Sequence, residues 1–355
     1  MSDTTDLSLL NYEPLFQNSN KKLSLFPINP NFSHLYDQYK KLEANLWVVG
    51  EIDFQGDISD WEKLDEDTKL FIESTLSFFA GGDTIVGEGA ERLYMLFDQP
   101  EIRAFYAYQI YNETVHGETY SLLIENLIKN KKRQTELFNS FETMPHIQKL
   151  YLWAKKWVKY STEEELLTNT NLNPDCKTDR ELAFLHSTYK FICAQASFEC
   201  IGFASSFASI FWIKERGILN ALTQSNLLIS KDESAHFMYA CSILNMFVHK
   251  PNPQVILEMV IELVDASKEF INASIDKLIG MNKQMMNTYI EFVADGLLLR
   301  IGLNKYYNVS LPAGMEFMNK LNFDDMNNMF EKKSTNYALA HGTVKNDEDL
   351  ITDDF

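Results

Sequence analysis

Apolar residues recur every three or four positions along most of the 355-residue chain. That is the period of helices with one buried face. Strand-like alternation between turn pairs is scarce. The spacing predicts helices over about 66–95, 101–130, 179–215, 219–249, 253–280 and 283–305, and a shorter one over 145–159. Nine prolines and fourteen glycines are spread over the whole length, so few points break these runs. The fold class is therefore all-α, with no internal repeat and no low-complexity tract. The last twenty or so residues, STNYALAHGTVKNDEDLITDDF, turn polar and acidic and are expected to form a flexible tail.

One run is apolar on every side. FICAQASFECIGFASSFASIFWI, residues 191–213, is long enough to cross a bilayer. It has no second span beside it and no basic cluster to orient it, and the central helix of a large bundle reads the same way. In either setting Glu199 sits in its middle. A lone ionised carboxylate there costs several kcal/mol, so it must be protonated, paired or bound to a metal.

Composition narrows the partners. With 45% hydrophobic residues the chain can bury a sizeable core. A formal charge of -18 argues against gripping nucleic acid or an anionic membrane through the general field. The N-terminus, MSDTTDLSLL, lacks an export pattern. Cys176, Cys193, Cys200 and Cys241 form no CxxC pair and read as reduced thiols of a cytoplasmic protein. On that reading the acceptor-like triplet Asn112-Glu113-Thr114 is not glycosylated.

The chemistry starts at YNETVHGETY, residues 111–120. Glu113 and His116 are three apart, so on a helix they can address one point. A single Glu-x-x-His pair is more often a surface pair. KDESAH supplies a second copy, Glu233 and His236, in another helical segment. Two helices each carrying this pair, with one carboxylate from each of two more, is the arrangement of di-metal carboxylate bundles. Glu199 supplies one of the remaining acids. Asp83, in the apolar FFAGGDTIV, supplies the other, although a cap beside Gly81-Gly82 is its bland alternative. Four carboxylates balance two divalent cations. This oxygen-rich set with two imidazoles suits iron or manganese better than structural zinc.

These motifs resemble the small (R2) subunit of class I ribonucleotide reductase, a ferritin-like di-metal carboxylate protein. The resemblance runs from about Phe26 to Phe355, through LWVVGEID, FFAGGDTIV, NETVHGETY, FECIGFASSFASIFW and SNLLISKDESAH. It implies an N-terminal extension over 1–25, a helical bundle over 26–330 and an acidic tail over 331–355 that docks on a large catalytic subunit. It implies the same six metal ligands and a homodimer. It implies two iron ions as a di-iron-oxo site, with manganese or a mixed pair using the same ligands. Tyr120, one turn beyond His116, takes the place of the radical tyrosine. Phe203, Phe207 and Ile229 match the apolar pocket around it. Trp47, Asp232 and Tyr337 match the residues that relay an electron and a proton to the partner. Two departures stand out: Lys231 precedes Asp232, where the family often carries arginine, and Gly81-Gly82 before Asp83 is expected to loosen that ligand.

The implied activity is that of a ribonucleoside-diphosphate reductase. The metal site activates oxygen, and the radical stored on Tyr120 passes to the large subunit. This chain has neither a nucleotide-binding glycine loop nor a reducing dithiol of its own. Two other readings remain open. One is a different di-metal oxidase, desaturase-like or an R2-like ligand-binding oxidase. The other is a non-catalytic iron-handling protein.

Overall fold

The computed structural model describes residues 8–17, 22–158, 176–273 and 282–321. Among these residues it contains twelve α-helices, short 3-10 turns and no strand. The helices are α1 (Ser33–Glu43), α2 (Ile58–Lys63), α3 (Glu66–Leu96), α4 (Pro100–Leu127), α5 (Lys131–Phe138), α6 (Ser140–Thr143) and α7 (Pro145–Trp157), followed by α8 (Lys177–Ser197), α9 (Phe203–Lys214), α10 (Asn220–Asn245), α11 (Pro253–Asn272) and α12 (Lys283–Arg300). A π-helical turn, Phe198–Gly202, joins α8 to α9.

The helix ends follow local chemistry. Asp65 accepts from the Thr68 N–H at the start of α3, and Asn282 does the same for Met285 in α12. Pro100 and Pro253 occupy first turns, where a missing N–H costs nothing. The start of α10 is different. Leu219 there is left-handed (φ 53°) and provides no side-chain cap. Asp57, from a distant 3-10 turn, accepts from the Ala221 and Leu222 N–H groups, both at 2.8 Å.

Four long elements enclose the centre: α3, α4, the α8–π–α9 unit and α10. Of these, α3 and α4 pack along their lengths. The apolar run at 191–213 belongs to a core helix, 94% buried over its most apolar window. Residues 8–17, part of the expected N-terminal extension, are seated on the bundle. Leu15 is fully buried, Phe16 stacks on Phe97, and Glu13 accepts from the Val248 and His249 N–H groups.

Gly81 and Gly82 lie inside the unbroken α3. A Cβ on Gly81 would meet the Phe141 ring at 1.8 Å, and one on Gly82 would meet Phe203 at 2.9 Å. These glycines let aromatic rings pack against the helix backbone just before Asp83.

Candidate metal centre

Each of the four elements delivers its acid or its Glu-x-x-His pair to one buried point. Asp83 comes from α3, Glu113 and His116 from α4, Glu199 from the π turn, and Glu233 and His236 from α10. All six are buried. Their ligand atoms form two overlapping groups: Asp83, Glu113 and His116, and Glu113, Glu199, Glu233 and His236. Within each group the atoms lie within 4.8 Å of one another. Glu113 belongs to both. Glu233 also reaches across, with Oε1 3.0 Å from His116 Nδ1 and Oε2 3.7 Å from His236 Nδ1. Glu113 and Glu233 thus stand where bridging carboxylates would, between two terminal sets.

Nearness alone does not satisfy these groups. Both oxygens of Asp83, Glu113 and Glu233, with His116 Nδ1 and both ring nitrogens of His236, have no aligned hydrogen-bond partner. Buried polar atoms left this way cost about 1–3 kcal/mol each. Their lone pairs converge on space between them, and this donor set of carboxylates and imidazoles fits a pair of hard or borderline divalent cations.

The electrostatics of the cluster point the same way. Burial, then the neighbouring Glu113, holds Asp83 well above the usual carboxylate range. Burial does the same to Glu199. Burial also pushes Glu113 upward, yet the His116 and His236 rings hold it at about 2. Burial disfavours charge on His236, but Glu113 and Glu233 raise it to about 10. Protons here stand in for cations.

The π turn has a local purpose. The Phe203 N–H reaches back five residues to the Phe198 carbonyl, so the turn carries one residue more than an α-helix. That extra residue lets Glu199 face inward while Phe198, Cys200 and Ile201 all stay buried. Gln109 donates to Glu199 Oε1 at 2.7 Å and fixes its carboxylate.

Tyr120 is fully buried, and its O–H donates to Asn226 Oδ1 at 2.9 Å. Phe79 stacks on it with centroids 4.6 Å apart and planes 1° apart. Phe203 and Phe207 pack on Phe79 at 5.2 and 4.8 Å, and Ile229 is buried on α10. Burial, then Asp83, raises the Tyr120 phenol well above its ordinary value. On the opposite side, His116 Nε2–H donates to Asp232 Oδ2 at 3.2 Å, and Trp47 Nε1–H donates to the same oxygen at 2.8 Å. The Trp47 and His116 rings lie nearly parallel, 6.1 Å apart. Tyr337 lies outside the described residues.

Three contacts at the centre were not among the expected residues: Gln109, Asn226 and Phe79. Their signal was present. Each lies one or two helical turns before a ligand, at Glu113, Glu233 and Asp83 respectively, so each shares that ligand's face.

A cavity of about 50 Å³ opens beside Glu199 and Glu233, lined among others by Ala204, Phe207, Tyr289 and Met318. That space has room for a few waters.

Fold and centre together define a ferritin-like helical protein of the di-metal carboxylate class. Residues 23–313 match the model of the family described as "Ribonucleotide reductase, small chain". The chain belongs to that family, and a small chain implies a large subunit as partner. It is 39% identical over 327 residues to the ribonucleoside-diphosphate reductase small chain of Vaccinia virus (strain Ankara), covering 92% of this chain and 94% of the relative. It is 38% identical to the subunit M2 of Mesocricetus auratus, covering 96% and 82%. Among solved structures it is similar to the Rnr4 homodimer of Saccharomyces cerevisiae, with a TM-score of 0.73, 26% identity and coverage of 91% and 94%.

Proposed function

We propose that this chain is the radical-generating subunit of a ribonucleoside-diphosphate reductase. Asp83, Glu113, His116, Glu199, Glu233 and His236 hold two metal ions, with iron as the natural occupant and manganese using the same ligands. The observation that carries this reading is the convergence of those six side chains beside a buried phenol, within a small-chain family member. When bound, the metal pair supplies the oxidising power drawn from oxygen. The chain's residues keep and move the resulting oxidising equivalent.

Tyr120 loses an electron together with its phenolic proton, because burial makes the charged phenolate unfavourable. Asn226 fixes the direction of that O–H, and Phe79, Phe203 and Phe207 keep water and reductants away. His116, Asp232 and Trp47 form the inner part of the route outward, joined through one Asp232 oxygen. Tyr337 and the acidic tail, residues 331–355, continue it into the large subunit. Two small chains form the working homodimer.

The test is reconstitution. The metal-free chain is loaded with ferrous iron, exposed to oxygen and examined by electron paramagnetic resonance, then assayed with a large subunit. Wild type gives a tyrosyl signal and turnover. Tyr120→Phe binds two metals and gives neither. A surviving tyrosyl signal in that variant places the radical elsewhere.

A further inference from the structure

Asn226 is a costly residue to keep where it stands. It lies inside α10 and is fully buried, and asparagine is both a poor helix former and expensive to bury without partners. Its amide has two directed partners. Nδ2 donates to the Leu222 carbonyl at 2.8 Å, and Oδ1 accepts from the Tyr120 O–H at 2.9 Å. The first contact fixes the second. Turning the amide over would set Oδ1 against the Leu222 carbonyl oxygen, so the amide oxygen is held toward the phenol and the N–H₂ group away from it. The phenol ring is held too, by Phe79 stacked flat on it at 4.6 Å. The contact therefore has one polarity: Tyr120 gives the hydrogen and Asn226 accepts it.

We propose that Asn226 sets the oxidising strength of Tyr120 by bonding the phenol and not the radical. This rests on the reading of Tyr120 as the radical residue. A phenol has a hydrogen to give, and a phenoxyl oxygen has none. Once that hydrogen is gone, two oxygens with only lone pairs face each other. The Leu222 anchor keeps the amide from offering its N–H₂ group instead. The bond thus stabilises the reduced phenol and is missing from the oxidised form. A radical formed against such a bond is a stronger oxidant, which favours passing the oxidising equivalent outward to Trp47. A net hydrogen bond of ordinary strength changes the equilibrium between phenol and radical by roughly 2- to 10-fold.

The balance is one electron and one proton. Forming the radical breaks the phenolic O–H bond, and the oxygen-derived oxidant of the function proposed above takes up both the electron and the proton. Reducing the radical returns one of each, and the O–H group and its bond to Asn226 form again. Asn226 neither gains nor loses a proton, since an amide oxygen is too weak a base to hold one. The plainer role for Asn226 is a tie between α10 and α4, which are in contact. A tie alone predicts a loss of stability on substitution and no change in the radical.

The experiment uses the full chain loaded with ferrous iron and oxygen, as wild type and as Asn226→Leu, which keeps the branched shape and removes the acceptor. The radical is equilibrated with one-electron mediators of graded potential and counted by electron paramagnetic resonance. Asn226→Leu is expected to show a lower midpoint potential, equivalent to a roughly 2- to 10-fold smaller equilibrium constant for reducing the radical. Its high-field g-tensor is expected to match wild type, because Asn226 gives the radical no hydrogen bond. An unchanged potential overturns the proposal and leaves only the tie. A g-tensor that moves toward that of a radical freed from a donor also overturns it, since the amide must then turn over. A second measurement needs no substitution and decides the matter even where Asn226→Leu fails to fold or load. In wild type carrying asparagine labelled with heavy nitrogen, electron–nuclear double resonance is expected to show no amide nitrogen coupled to the Tyr120 radical; such a coupling overturns the proposal. A loaded wild type without a tyrosyl signal, or a signal that survives Tyr120→Phe, sinks the reading of Tyr120 itself, a failure distinct from an unmoved potential.

Discussion

The Asp232 carboxylate shows how much one oxygen can hold in place. Oδ2 accepts from both Trp47 and His116, so it sets the tilt of an indole and the tautomer of a ligand at once. Asp232→Asn keeps the shape but removes the negative charge, so that a single neutral oxygen must accept from both N–H donors. The expected result is a radical on Tyr120 that still forms, with turnover lower by roughly 10–100-fold, the usual cost of losing a ligand's supporting partner. Paired resonance and turnover measurements check this; full turnover would remove Asp232 from the route. The six ligands were legible from sequence because Glu-x-x-His repeats and acids inside apolar runs are costly to keep without a purpose. Gln109, Asn226 and Phe79 were harder to find, because an amide or a phenylalanine on a buried face fits any core. Only knowledge of the facing helix gives them a role.

At the scale of elements, the 3.6-residue period located the long helices that bury one broad face, and unbroken apolarity over a long run located the helical unit at 191–213. It did not reveal α1, α2, α5 or α6, whose short or largely polar sequences are held by packing against longer neighbours. Nor did it reveal the π turn, because Phe198–Gly202 is apolar all round apart from Glu199 and carries no period to disturb. The packing role of the α3 glycines was hidden for a related reason. Sequence gives a glycine's freedom but not the ring that needs its space. Gly82→Ala puts a methyl 2.9 Å from Phe203, which packs on the Phe79 ring beside Tyr120. The ring must move. Overpacking of this kind costs about 1–3 kcal/mol, despite alanine's better helix propensity. Denaturant unfolding of the metal-free chain is expected to show that loss, and the Tyr120 radical is expected to decay faster as its pocket loosens. A variant as stable as wild type, with unchanged radical lifetime, would mean that Phe203 shifts freely.

For the whole molecule, the proposed division of labour separates storage of the oxidising equivalent from its use. Removing residues 338–355 is expected to leave metal content and radical intact and to abolish turnover with the large subunit; full activity of the truncated chain would end the docking role of the tail. The centre itself couples stability to pH. Asp83 and Glu199 are held above the usual carboxylate range, so the metal-free fold keeps protons that the unfolded chain releases above about pH 4. That contribution is complete below the unfolded pKa and is lost as pH rises. His236 acts in the same direction. Its contribution is complete below about 6.5, the unperturbed histidine value. It is lost as pH climbs towards the folded value of about 10. Glu113, at about 2, acts oppositely and loses its contribution only on acidification below its ordinary range, far from neutrality. Between roughly pH 6.5 and 9 the metal-free chain should therefore lose stability from this cluster. Divalent cations replace those protons, and loading releases them. The gap in Tm between the metal-loaded and metal-free chain, measured anaerobically by calorimetry with ferrous or manganous ions, should widen as pH rises through that window. A gap that stays constant would mean the cluster carries no protons for metals to displace.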